Sequence, residues 1–89
     1  MKDYVWRREV RGFNDLFVTT WILYVEVELQ PGGATQFAYA GTLTRKGPKQ
    51  WQLSKLDHNF YMQHLSDLEM GERDAKNAAK LILTQMAKG

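Results

Sequence analysis

Residues 16–29 are mostly apolar, and apolar and polar positions alternate at the C-terminal end of this segment. Apolar side chains recur at every second position over Trp21–Leu29, and Glu26 and Glu28 occupy the other face. β-Branched and aromatic residues dominate the segment, which contains neither Gly nor Pro, and this composition favours a strand. The alternation predicts a half-buried antiparallel strand with a solvated side. Because such a strand is longer than most, we expect a bend or bulge near Thr19–Thr20.

Similar alternation predicts further strands on either side of this segment. A first strand is expected over Tyr4–Arg11, followed by a turn at residues 12–15. Pro31, Gly32 and Gly33 end the strand predicted over residues 16–29. Larger and smaller side chains alternate again over Gln36–Thr44, which predicts a third strand. Within it, Gly41 predicts a bulge or the close approach of a neighbouring ring. A basic hairpin loop then leads to a short fourth strand over Gln50–Leu56.

Residues 57–68 fit two patterns. Tyr61, Leu65 and Leu68 have the spacing of one helical face, whereas a strand over Tyr61–Leu65 fits nearly as well. We expect a turn followed by an irregular or short helical segment.

The segment Glu72–Lys88 has the clearest helical pattern. Five apolar residues recur at intervals of three and four and form a stripe on one face, namely Ala75, Ala78, Ala79, Ile82 and Met86. Acidic residues begin the segment and Lys88 and Gly89 end it, as is usual for helices. Strands followed by a helix predict the α+β class. We expect one domain over residues 1–89, an antiparallel meander of three to four strands with one C-terminal helix packed on one face.

Composition narrows the function classes. The chain has 12 Lys and Arg, 10 Asp and Glu and a net charge of +2, which is only mildly basic. It contains no Cys, so disulfides, thiolate nucleophiles and Cys-based zinc sites are excluded. Its N-terminal residues do not have a signal-peptide pattern, and no apolar run is long enough to span a bilayer. We therefore expect a cytoplasmic protein without a membrane partner.

Residues with catalytic chemistry are few. His58 and His64 share a face only if residues 57–65 are extended, and their spacing matches no zinc motif. Glu26 and Glu28 share a strand face, which is more typical of a solvated side than of acid–base chemistry. No nucleophile, phosphate-loop or dinucleotide motif is present. We expect no enzymatic activity, no metal site, no cofactor and no small-molecule substrate.

The leading hypothesis is a non-catalytic binding module, a small adaptor or inhibitor. It would contact a protein partner, or a second copy, through the sheet face or an edge. We expect the contact residues to be Trp6, Ile22, Tyr24 and Tyr39. Exposure of Ile22 and Tyr24 requires that residues 57–68 leave that face uncovered.

The alternative is nucleic-acid binding, single- or double-stranded and without sequence specificity. Basic residues occur in three groups, on the first strand (Arg7, Arg8, Arg11), in the hairpin loop (Arg45, Lys46, Lys49) and on one helical stripe (Arg73, Lys76, Lys80). We expect the hairpin loop and the helical stripe to bind the nucleic acid. If two groups meet in space, they form a surface that tracks phosphates, with Trp6, Tyr24 or Tyr39 available for stacking. Three carboxylates on or near the open sheet face argue against it, those of Glu9, Glu26 and Glu28.

The segment Asp74–Lys80 resembles the start of the last helix of the double-stranded-RNA-binding domain. That resemblance implies phosphate contacts from Lys76 and from Arg73, although Asp74 stands where the family carries a second basic residue. The chain departs from the family in two further ways. Its N-terminus has a strand pattern instead of a helical one, and residues 45–73 replace a short loop.

Overall fold

The computed structural model describes residues 3–13 and 16–88. Within elements, the side chains of residues 11–13, 16–18 and 88 are outside the description. The chain forms, in order, β1 Tyr4–Phe13, β2 Leu16–Glu28, β3 Thr35–Gly47, β4 Gln50–Leu56, β5 Met62–Glu69 and α1 Glu72–Lys88. This is the predicted α+β class. Residues 12 and 13 belong to β1, and the rest of the predicted turn, residues 14 and 15, lies outside the described residues.

The five strands form one sheet in the order β1-β2-β3-β4-β5, and every neighbouring pair is antiparallel. The predicted meander is therefore confirmed, but the predicted number of strands was wrong. The additional strand is β5, in the segment expected to be irregular or helical. A bulge explains the misleading pattern, because Leu53 pairs with Ser66 whereas Ser54 pairs with His64, which leaves Leu65 as the extra residue. Leu65 and Leu68 consequently both contact the core although they are three residues apart.

A second irregularity lies between β2 and β3. Leu23 pairs with Gly41, whereas the next residue, Tyr24, pairs with Tyr39, so Ala40 is the extra residue. The bulge expected near Thr19–Thr20 is thus at another position, because pairing with β3 changes register only at this step. The bulge expected at Gly41 is confirmed next to it.

The core lies between the sheet and α1. Three leucines from β2, β3 and β4 are completely buried, and the helix contributes three small or aliphatic side chains, Ala75, Ala79 and Leu83. The bounds of α1 match the prediction. Its stripe differs at the C-terminal end, where Leu83 is buried and Met86 is exposed. A Cβ on Gly41 would collide with the side chain of Leu83, so Gly41 allows the helix to approach β3.

We call the face of the sheet that points away from this core the open face. Four side chains at its centre are nonetheless buried, those of Thr20, Ile22, Thr42 and Ser54. Ile22 pairs with Thr42 and Thr42 with Ser54, so they form a row flanked by longer side chains on the outer strands. Ile22 is only 6% exposed, so its side chain does not project from this face.

Among the described residues, no helix is long and apolar enough to cross a membrane.

Candidate binding surfaces

The four residues predicted to contact a protein do not form one surface. Trp6 pairs with Leu23 and packs against the core on the helix side of the sheet. Tyr24 and Tyr39 are cross-strand partners on the open face, and Ile22 is buried beside them. The structure therefore divides the predicted site between two faces.

An aromatic patch, defined here as Val5, Tyr24, Phe37, Tyr39 and Met62, lies on the open face. Val5 and Phe37 are about half exposed and line a groove together with Tyr24 and Arg7. The Tyr39 hydroxyl forms a hydrogen bond with Thr42 Oγ1 and donates to Met62 Sδ at 3.9 Å. These contacts connect the β2–β3 part of the patch to β5.

The ionisation of Tyr39 follows from this environment. Burial removes water from the phenol and raises its pKa above the ordinary value, while the hydrogen bond with Thr42 acts in the opposite direction. The hydroxyl is therefore protonated at neutral pH.

A tight turn between β4 and β5 presents three large apolar side chains. One carboxylate oxygen of Asp57 accepts hydrogen bonds from the backbone N–H groups of Asn59, at 2.8 Å, and Tyr61, at 3.0 Å. Phe60 has a φ of 64°, which bulky residues rarely adopt, and its side chain is 82% exposed. Tyr61 and Met62 follow it and are also exposed. None of these tip residues was among the predicted contact residues, although two adjacent aromatic residues follow His58 and Asn59 in the sequence.

A cationic groove separates β1 from α1 on the helix side. It is lined by two indoles from the sheet and four polar side chains from the first turns of the helix, namely Trp6, Trp21, Glu72, Arg73, Lys76 and Asn77. Trp21 Nε1 donates a 2.6 Å hydrogen bond to Glu72 Oε1. The ammonium of Lys76 lies 3.7 Å from the centroid of the same indole ring. These two contacts fix Trp21 against the helix.

The groove continues as cation–aromatic contacts along α1. The ammonium of Lys80 lies 5.8 Å from the ring centroid of Tyr4, which is within the range of a cation–π interaction. Tyr4 and Trp6 are on the same side of β1, since residues two apart in a strand share a face. Rings and cations therefore occupy the same strip of surface.

A smaller pocket adjoins this groove at the start of α1. It is lined by one residue from each of β1, β2, β3, the β3–β4 turn, β4 and α1, namely Arg8, Thr19, Arg45, Pro48, Trp51 and Glu72. Glu72 lines both the groove and the pocket. Members of all three predicted basic groups consequently meet on this side of the molecule.

Some of the predicted basic residues lie elsewhere. Lys49 lines a neighbouring depression with Gln50 and Glu69, which shares Pro48 with the pocket, and Lys46 is exposed on β3. The side chain of Arg11 is outside the described residues. The carboxylates that argued against nucleic-acid binding belong to strand positions on the open face, opposite the groove, because they alternate with core-facing residues.

No protein-family model matches the chain, and no curated protein or solved structure gives a significant match. The local resemblance of Asp74–Lys80 to the double-stranded-RNA-binding domain does not extend to the fold. Five strands precede α1, and among the described residues α1 is the only helix.

Proposed function

We propose that this protein binds single-stranded nucleic acid without sequence specificity, through the cationic groove. The supporting observation is that Arg73 and Lys76 line the groove together with Trp6, and that Arg8 and Arg45 line the pocket that adjoins it. Proteins of this kind combine cations that follow the phosphate backbone with aromatic rings on which bases stack. The nearby carboxylate of Glu72 is engaged by the indole of Trp21.

A single strand fits the groove better than a duplex. The indole of Trp6 lines the groove and is partly buried against the core. A partly buried ring stacks on a base only when that base is free of its own neighbours, as in a single strand. Trp21 already carries the ammonium of Lys76 over its ring, so Trp6 is the stacking residue in this proposal.

Fluorescence anisotropy with labelled oligonucleotides tests the proposal. We expect binding to oligo-dT and oligo-rU that weakens linearly on a plot of log affinity against log salt concentration. We expect Trp6→Ala to weaken binding by about 1–3 kcal/mol, the usual contribution of one stacked base. Met86→Ala, at an exposed position near the end of α1, is the matched control. Equal affinity of the Trp6 variant and the parent, or no binding at low salt, contradicts the proposal.

A second candidate function is self-association through the aromatic patch, favoured by the rigid tip at Phe60. The chain carries an apolar projection at this tip and an apolar groove at Val5 and Phe37. The tip is anchored by the acidic Asp57, whereas the groove contains the basic Arg7. The tip and this apolar groove are therefore complementary in polarity and charge. The proposed occupant of the groove at Val5 and Phe37 is the tip of a second copy.

Light scattering coupled to size exclusion tests this second candidate. We expect a concentration-dependent dimer that Phe60→Ala weakens, because exposed aromatic anchors dominate interfaces of this kind. Leu81→Ala, on the exposed side of α1, is the matched control and leaves the dimer intact. A monomer at all concentrations contradicts self-association.

A further inference from the structure

The pocket beside the groove contains a buried hydrogen-bond donor without an acceptor. Trp51 is only 4% exposed, and within the part of the chain that the structure describes its Nε1–H has no partner. Buried indole N–H groups are normally hydrogen-bonded, because leaving such a donor unsatisfied destabilises the fold. Trp51 also lines the pocket that holds Arg8 and Arg45.

We propose that this pocket is a phosphate subsite, in which Arg8 and Arg45 donate to the oxygens of one phosphate and the Nε1–H of Trp51, buried in the free protein, becomes accessible and donates to the same group. This inference rests on the proposed nucleic-acid function, since it names the part of the ligand that this end of the site takes. The three residues come from β1, β3 and β4 and line the same pocket. A tetrahedral phosphate offers acceptors in several directions, and guanidinium groups match it well.

The geometry of Arg45 supports this role. Its Nε donates to the carbonyl of Gly47 at 3.2 Å, which holds the guanidinium at the pocket while its terminal nitrogens keep their own donors. The carboxylate of Glu72 also lines the pocket and opposes an anion there. It accepts a hydrogen bond from Trp21. The pocket lining contains two positive charges, on Arg8 and Arg45, and the one negative charge of Glu72.

Continuity with the groove selects phosphate over other anions. Glu72 is shared by the pocket and the groove, so a strand whose base stacks on Trp6 passes the mouth of the pocket. The bound phosphate then belongs either to the backbone of the strand or to its 5′ end. Both sources present the same oxygens to Arg8, Arg45 and Trp51.

The indole N–H of Trp51 provides a direct measurement. The chain has three tryptophans, so a nitrogen–proton correlation spectrum of the labelled protein contains three indole signals. Trp6→Phe and Trp21→Phe assign two of them, and the third belongs to Trp51. On titration with inorganic phosphate we expect the Trp51 signal to move downfield to saturation, because its donor gains an acceptor. Chloride at matched ionic strength is the reference and leaves it in place.

Two variants that each remove one positive charge show whether the phosphate response depends on the pocket. We expect Arg45→Gln to weaken the phosphate response by about tenfold, the usual loss for a hydrogen bond to a charged group. Lys49→Gln removes one positive charge in the neighbouring depression, outside the lining of the pocket, and reduces the response less. A Trp51 signal that moves equally in chloride, or an equal loss in the two variants, overturns the subsite.

Titrations with oligonucleotides show whether the bound phosphate comes from the 5′ end or from the backbone of a strand. They also separate this inference from the proposed nucleic-acid function on which it rests. If the Trp51 signal moves with 5′-phosphorylated oligo-dT and not with the 5′-hydroxyl form, the subsite takes a strand end. If both move it, the subsite takes a backbone phosphate. A response to inorganic phosphate without any oligonucleotide binding keeps the subsite and removes the proposed function. Oligonucleotide binding without any shift of the Trp51 signal keeps the proposed function and removes the subsite.

Discussion

The ammonium of Lys76 lies 3.7 Å from the centre of the Trp21 ring, and this contact joins α1 to β2 beside the cationic groove. Lys76 is half-buried, so part of its contact is shielded from water. It also lines the groove together with Trp6. One side chain therefore serves the packing of the helix and, in the proposed function, the binding of phosphate.

Removal of the Lys76 charge tests both roles. Lys76→Gln loses the cation–π contact, and we expect the free energy of unfolding to fall by about 0.5–1 kcal/mol in urea denaturation. It also loses a phosphate contact, so the slope of log affinity against log salt decreases by about 1. Lys49→Gln serves as the control and changes neither quantity. An unchanged salt slope in Lys76→Gln would remove this residue from the proposed site.

The carboxylate of Glu72 gives a prediction of opposite sign. Glu72→Gln keeps an oxygen that accepts the hydrogen bond from Trp21 Nε1 but removes a negative charge shared by the groove and the pocket. We expect oligonucleotide affinity to rise by roughly two- to tenfold at low salt, since phosphate is no longer repelled. Glu69→Gln, in the neighbouring depression, is the control and has a smaller effect. Equal or weaker affinity in Glu72→Gln argues against phosphate binding at this place.

The close approach of α1 to β3 depends on Gly41. Gly41→Ala places a methyl group against the side chain of Leu83, and we expect destabilisation of about 1–3 kcal/mol from overpacking. The double variant Gly41→Ala, Leu83→Ala tests the mechanism, because the smaller side chain leaves space for the added methyl. Its loss of stability should be smaller than the sum of the two single losses. Strict additivity in thermal and urea denaturation would show that the two residues do not compete for this space.

The turn at Phe60 predicts that one substitution stabilises the fold and weakens self-association. Asn tolerates a positive φ much better than Phe, and little burial is lost because Phe60 is 82% exposed. We expect Phe60→Asn to raise the free energy of unfolding by about 1 kcal/mol and to shift light scattering towards the monomer. Tyr61→Asn removes a neighbouring exposed aromatic without relieving the φ of residue 60. A loss of stability in Phe60→Asn would mean that its side chain contributes to packing.

The raised pKa of Tyr39 makes stability depend on alkaline pH. The folded protein holds this proton more tightly than the unfolded chain, whose ordinary value is 10.0. The contribution is fully present below that pH and is lost as pH rises through 10 towards the folded pKa. Urea denaturation across this interval should show a smaller loss of stability in Tyr39→Phe than in the parent. Equal losses would mean that Tyr39 does not contribute to the alkaline transition.

Sequence patterns identified most elements because their causes are local. The helix was placed at Glu72–Lys88 from its apolar spacing and terminal residues, and the alternation of β2 identified a long strand with two unlike faces. β5 was missed because one extra residue, Leu65, shifts the strand register and gives Leu65 and Leu68 a helical spacing. A bulge depends on the partner strand, so the pattern within one segment does not reveal it.

In the candidate site, too, some features follow from local sequence patterns and others depend on tertiary structure. The sequence by itself determined the α+β class, the helix and the three groups of basic residues, because these follow from composition and from patterns within single segments. Tertiary structure alone decided that Arg8 and Arg45 share a pocket and that Lys76 lies over Trp21. It also placed Trp6 and Tyr39 on opposite faces of the sheet. These relationships depend on strand order, register and the side on which the helix packs, and cross-strand pairing and core packing set all three.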